Sequence, residues 1–165
     1  MTLFTTNQDL SPDALREVFG AFPSGVVALI AFVADEPVGL AASSFTSVSL
    51  DPPLVSVSIA NGSKTWPELR AATYLGITVL AEQHRAFARQ LAGPVDSRFD
   101  GIPLARAAEG SGFVVDGLAH FNTSVYREVE AGDHTIALLR VHARAAAAEG
   151  QPLVFHRSGF RTLAA

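Results

Sequence analysis

A mainly β fold with a few helices, built as an antiparallel barrel, is predicted by three observations. Apolar, β-rich segments follow one another through short turns marked by Gly, Pro, Asp and Ser, with few helical patterns between them. Leu54 to Ile59 alternates cleanly, with Val55, Val57 and Ile59 on one face and Ser56 and Ser58 on the other. No G-x-G-x-x-G follows a strand, and Gly110-Ser111-Gly112 does not match one, so a doubly wound parallel sheet lacks its nucleotide-binding fingerprint. At 165 residues the chain reads as one domain over residues 14–165, preceded by a tail over residues 1–13.

Along the chain, Ser11-Pro12-Asp13 opens a short helix through Leu15, Val18 and Phe19, with a Ser cap and Pro in the first turn. Phe22 to Gly25 reads as a turn, Val26 to Ala34 as an apolar strand, and Asp35-Glu36-Pro37 as a tight connection to a strand over Val38 to Ser49. Asp51-Pro52-Pro53 interrupts before the alternating strand. A helix over Trp66 to Ala71 is announced by Thr65 as N-cap, Pro67 in the first turn and Glu68 completing a capping box. Tyr74 to Leu80 is a strand, Ala81 to Ala92 a helix, and Gly93 to Gly112 is rich in loop. The remainder reads as strands over Phe113 to Val115, Leu118 to Val129, His134 to Ala145 and Leu153 to Phe160, with a turn at Glu130 to Asp133.

Composition narrows the function. Charged residues are only 17% of the chain, below the usual quarter, so polar surface is scarce and a homo-oligomer is expected. A net charge of −4 without a basic cluster argues against nucleic acid or an anionic membrane as partner. The absence of cysteine excludes disulfides, thiol catalysis and Cys-based metal sites. The first 13 residues lack the segments of a signal peptide, and the longest strongly apolar run is half a membrane span, so a cytoplasmic location is expected.

The segment Asn61-Gly62-Ser63-Lys64-Thr65, leading into a helix, suits an anion, because free backbone N–H groups and the helix dipole meet two hydroxyls and the only lysine. It suits an ordinary capped helix equally. A second hydroxyl cluster, Ser43, Ser44, Thr46 and Ser47, lies one strand earlier. No Walker A loop and no G-x-S-x-G elbow is present. The five histidines show no metal-binding spacing. Strand alternation would turn Asp133 and His134 to opposite faces, making them a poor dyad, although His134 alone can project into a pocket. Arg98-Phe99 and Phe160 suit either a flat aromatic ligand or plain packing.

Several of these segments together carry a resemblance. Phe22-Pro23-Ser24-Gly25-Val26-Val27, then Val38 through Val55 (VGLAASSFTSVSLDPPLV), then Ser63-Lys64-Thr65, Val79-Leu80-Ala81-Glu82, Arg98-Phe99, Gly132-Asp133-His134-Thr135 and Pro152 to His156 resemble the flavin reductase domain family. These are the short-chain NAD(P)H:flavin oxidoreductases of two-component monooxygenases, with an FMN-binding split β-barrel of Greek-key type. The resemblance implies flavin contacts from Leu40, Ala41, Ala42, Ser43, Ser44, Ser58, Ile59, Ala60 and Phe99, with the phosphate held by Ser63, Lys64 and Thr65. It implies that His134 faces the nicotinamide as the catalytic histidine. It also implies FMN or FAD as flavin, NADH or NADPH as co-substrate, a homodimer with flavin sites near the interface, and an oxygenase partner fed by diffusible reduced flavin. Relatives often carry Thr where this chain has Ala41, which leaves only a backbone N–H there. Two other readings stay open: a tightly bound FMN that reduces another acceptor, and a non-catalytic flavin-binding protein.

Overall fold

The structure is a computed structural model and describes residues 6–163. The first five residues of the expected tail and the last two of the expected domain lie outside them. Ser11 caps helix α1 (Pro12–Phe19), its Oγ accepting from the Ala14 N–H at 3.4 Å, and α1 buries none of its residues. The chain continues through β1 (Ser24–Gly25), β2 (Val27–Val33), β3 (Glu36–Ala42), β4 (Thr46–Leu50) and β5 (Pro53–Ala60). Helix α2 (Trp66–Ala71), β6 (Leu75–Val79) and helix α3 (Arg85–Leu91) follow. The last part holds β7 (Leu104–Arg106), β8 (Ser111–Val114), β9 (Ala119–Ala131), β10 (His134–Ala146), β11 (Val154–His156) and β12 (Gly159–Arg161). Among the described residues no helix is long and apolar enough to cross a membrane.

One sheet runs β4-β5-β10-β9-β6-β2-β8-β7, β3 pairs with β2, and β1-β11-β12 form a small second sheet. All these pairings are antiparallel. Among the described residues the large sheet does not close into a ring, which agrees with the mainly β split barrel that the resemblance implies.

The departures from the expected elements have local causes. The strand expected over Val38 to Ser49 is two strands, because β3 pairs with β2 while β4 pairs with β5, and Ser43 to Phe45 carry the chain between the two ladders. The turn before β3 is Ala34-Asp35, both with positive φ (50° and 69°), the twist that a two-residue hairpin needs, so Glu36 and Pro37 already belong to the strand. A second positive-φ pair, Arg157-Ser158, splits the strand expected over Leu153 to Phe160 into β11 and β12. Ser24-Gly25 pairs with Phe155 and Val154 instead of turning. The helix expected from Ala81 begins as a 3-10 turn over Glu82–His84, and the loop-rich 93–112 stretch contains β7 and the start of β8.

β2 is buried on both faces. Val27, Leu29 and Ala31 enter a core with Val55, Val57, Ile59, Ile77 and Leu139, while Ala28 and Ile30, with Val26 just before the strand, join a second core with Leu80, Leu91, Val114 and Leu153. Burying each such side chain contributes roughly 1.5–3 kcal/mol, which is why this strand reads as a continuous apolar run rather than an alternation. Helix α2 caps the first core with Trp66 and Leu69. The Trp66 Nε1–H donates to Glu128 Oε1 at 2.8 Å, and Arg70 approaches Glu128 Oε2 at 3.4 Å, so α2 is tied to β9. Helix α3 caps the second core with Ala88 and Leu91.

His84 is 3% exposed, and its Nδ1 accepts the Ala81 N–H at 3.1 Å. Burial pushes its pKa below the ordinary value, a contact with the Val115 backbone and the Asp116 charge opposing and His120 adding to the fall. The unfolded chain therefore takes up a proton that the folded chain resists. Stability from this group is complete above about pH 6.5 and declines as pH falls below it. The melting temperature should drop between pH 7 and pH 5 with a shallower slope in His84→Asn, and an identical slope in both proteins would refute the assignment.

Candidate functional site

Ladder geometry brings three separated segments to one cleft of about 360 Å³. The first wall is the exit of β3, where Leu40, Ala41 and Ala42 pair with Leu29, Ala28 and Val27 before Ser43 and Ser44 leave the ladder. The second is the end of β5, Ser58, Ile59 and Ala60. Ser44 joins the two walls: its hydroxyl accepts the Ser58 N–H at 3.0 Å and donates to the Ser58 carbonyl at 3.1 Å. Ser63 and His134 complete the lining.

His134 reaches the cleft because β10 pairs with β5 in the register His134–Ala60 and Thr135–Ile59. Asn61 fixes that register at the turn. Its backbone N–H donates to the Asp133 carbonyl (3.0 Å), its Nδ2 donates to the Gly132 carbonyl (3.1 Å), and its Oδ1 accepts from Thr135 Oγ1 (2.9 Å). In the sequence, Asn61 stands out only as part of the Asn61-to-Thr65 run that suits an anion. Its neighbourhood in the chain was the signal, but its bonds to the β9–β10 turn were not predictable from spacing.

Asp133 and His134 correct the sequence reading. Asp133 precedes β10 and lies in the turn, so strand alternation does not govern it, and its Oδ1 is 2.7 Å from His134 Nδ1. The Nδ1–H donates to the carboxylate, which leaves Nε2 as the free ring nitrogen. That hydrogen bond and the histidine's charge, with help from the Arg16 guanidinium, hold the Asp133 carboxyl below the usual range.

Three residues expected to touch a ligand are not part of the lining. Lys64 is exposed beside the cleft. Thr65 is buried and makes no side-chain capping bond; Ser63 Oγ takes that role, accepting the Trp66 N–H at 3.2 Å, so the expected capping box is absent. The Thr65 hydroxyl instead accepts from Arg98 Nη1 at 2.9 Å. Phe99 packs against β3 at Gly39 and joins the second core with Phe155 and Phe160. Among the described residues no cluster of His, Asp and Glu is placed to hold a metal ion.

The lining suits a flat ring with polar edges and an anionic tail. Ile59 and Leu40 supply apolar surface, while Ala41, Ala42 and Ala60 are too small to hide their backbone groups from a ligand. Ser63 keeps its hydroxyl proton available, since in its known bond the oxygen is the acceptor.

The Flavin reductase like domain family model matches residues 19–164. The stachydrine N-demethylase reductase subunit of Rhizobium meliloti is 41% identical over 133 residues, 80% of this chain. The chain spans only 58% of that relative's length, and 45% of a second relative from the same bacterium. A flavin reductase of Pseudomonas putida is 32% identical over 157 residues, covering 94% of this chain and 92% of its own. Among solved structures, the Streptomyces globisporus C-1027 NADH:FAD oxidoreductase SgcE6, in complex with NAD and FAD fragments, superposes with a TM-score of 0.91 at 31% identity, covering 98% of each chain.

Replacing Ser44 with alanine would strip the Ser58 backbone of both bonds between the cleft walls. Ser44→Ala should lower unfolding stability by about 1–3 kcal/mol in a urea titration, and an unchanged midpoint would show that the walls are held by other means.

Proposed function

We propose a function on the premise that follows from this match: the chain belongs to the Flavin reductase like domain family. It is an NAD(P)H:flavin oxidoreductase that reduces FMN or FAD and supplies reduced flavin to a partner monooxygenase. The observation that carries this reading is the single cleft in which the β3 exit, the end of β5, Ser63 and His134 meet.

Bound flavin and reduced nicotinamide supply the redox chemistry, a hydride passing from nicotinamide C4 to flavin N5. The residues of this chain bind, orient and exclude water. Leu40, Ile59 and the alanines offer the apolar face on which a ring can lie. Backbone groups of Ala41 to Ser44 are available to the ring's polar edge, and preorganised N–H groups there favour the negative charge of a reduced ring. Ser63, at the start of α2, and Lys64 beside it would hold a phosphate. His134, its ring fixed through Nδ1 by Asp133, would offer the free Nε2 to a nicotinamide stacked on the flavin. No proton donor is needed for hydride transfer itself, so orientation of the two rings is what the protein contributes.

The working unit in this reading is a homodimer. Leu50 is 96% exposed, Phe22 80% and Phe19 68%, an amount of open apolar surface that a second copy would cover. Similarity to reductase components of two-component systems supports a separate oxygenase as the consumer of reduced flavin. In this reading the protein works in the cytoplasm, where reduced pyridine nucleotide is at hand. NADH is favoured as donor by the relatives named as NADH-dependent.

Anaerobic mixing of the protein with excess FMN and NADH should bleach the flavin's visible absorbance catalytically. His134→Ala should slow bleaching by about one to two orders of magnitude through loss of ring placement. No bleaching with NADH or NADPH, from protein that still binds FMN, would overturn the reductase assignment.

A further inference from the structure

Arg98 is the most heavily bonded side chain near the cleft, and none of its partners carries a charge. Its Nη1 donates to the Gly39 carbonyl at 2.8 Å and to Thr65 Oγ1 at 2.9 Å. Its Nη2 and Nε donate to the Gly93 carbonyl at 2.8 and 3.3 Å. Among the described residues it forms no ion pair, although it is half-buried. Burial accordingly pushes its pKa down.

Each contact has a purpose that can be read from where the partner lies. Gly39 immediately precedes the cleft wall at Leu40, and Thr65 ends the Ser63–Thr65 turn. One guanidinium therefore ties the wall that would face a ring to the turn that would face its phosphate. The third tether, Gly93, anchors the arginine to the end of α3. The loop carrying Arg98 is itself held by α3, since Gln90 Nε2 donates to the carbonyls of Ser97 (3.0 Å) and Asp100 (2.7 Å). The neighbouring Phe99 presses on the same wall: a Cβ added at Gly39 would sit 3.1 Å from the Phe99 ring and 2.3 Å from the Leu29 carbonyl oxygen. Arg98 and Phe99 thus fix β3 at one point through two different side chains.

A charged group bonded only to neutral acceptors keeps most of its electrostatic attraction available. In a partly desolvated place that attraction acts over several ångströms with less screening than at an open surface. We propose that Arg98 is a positioning and specificity residue of the flavin cleft, locking the β3 wall to the Ser63–Thr65 turn and favouring phosphorylated flavins over riboflavin. This rests on the reading of the cleft as a flavin site. The exposed Lys64 adds charge at the same turn, but water screens it, whereas Arg98 sits behind the turn in fixed geometry.

The test compares two ligands that differ only in the phosphate. FMN and riboflavin are titrated into wild type, Arg98→Met, Arg98→Lys and Thr65→Val, following quenching of flavin fluorescence, and KM and kcat are measured for each flavin with NADH. The expected result for Arg98→Met is a rise of about tenfold or more in the Kd and KM for FMN, a much smaller rise for riboflavin, and kcat at saturating flavin within a few-fold of wild type. Arg98→Lys, which retains the charge but not the fork of donors, should restore much of the FMN-over-riboflavin ratio. Thr65→Val keeps the charge but frees the turn that would face the phosphate, so it should weaken FMN more than riboflavin, by a smaller factor than Arg98→Met; if Arg98→Met does not fold, an equal loss for both flavins in Thr65→Val and Arg98→Lys would overturn the proposal. Equal losses for FMN and riboflavin in both Arg98 variants, or no loss in either, would overturn the proposal. A wild type that binds FMN over riboflavin but reduces neither would sink the reductase assignment while leaving the binding ratios to decide the role of Arg98. Binding of neither flavin would refute both.

Discussion

The constraint on which the rest of the molecule depends is the burial of β2 from both sides. A strand polar on both faces could slip in register at modest cost, whereas β2 has an apolar side chain committed to a core at every position from Val27 to Ala31. A shift by one residue would exchange the two cores' contents. Because β3 pairs with β2 along its whole length, the register of β2 is inherited by Leu40, Ala41 and Ala42, the first wall of the cleft. The wall is placed by hydrophobic packing of the strand beside it.

The opposite side of the cleft is placed by polar bonds. His134 stands at the first position of β10, where a ladder is most prone to fray, and the Asn61 clamp compensates by bonding both the backbone and a side chain of the turn region. Asp133 then removes one rotational freedom from the imidazole. The cleft thus joins a wall whose position is set by the core to a turn whose position is set by hydrogen bonds. The first resists change, and the second can be tuned by substitution at a few exposed positions.

What the sequence made legible was whatever depends on local pattern. The alternation over Leu54 to Ile59 became the burial pattern of β5, and the Ser11 cap and Pro-started helices lie where the residue types require. What it hid depends on partners far apart in the chain. Arg98 finds Gly39 59 positions away, and Asn61 finds Gly132 71 positions away, so no window of neighbouring residues contains either contact. Local rules also misled where they met an element boundary. Alternation held within β10 but not at Asp133, and the S/T-x-x-E pattern at Thr65 was overruled because Arg98 had claimed the hydroxyl. The break at Ser43 to Phe45 was invisible because a chain changing partner strands keeps a β-like composition throughout.

The chain has one tryptophan, and α2 puts it in an informative place. Trp66 follows the Ser63–Thr65 turn directly, is buried against the first core, and has its indole N–H bonded to a β9 carboxylate. Ultraviolet emission from this protein therefore comes from the two tyrosines and a single indole beside the cleft. That indole is a built-in optical reporter of whether α2 is seated on the barrel, and a yellow chromophore held next door would be its natural energy acceptor.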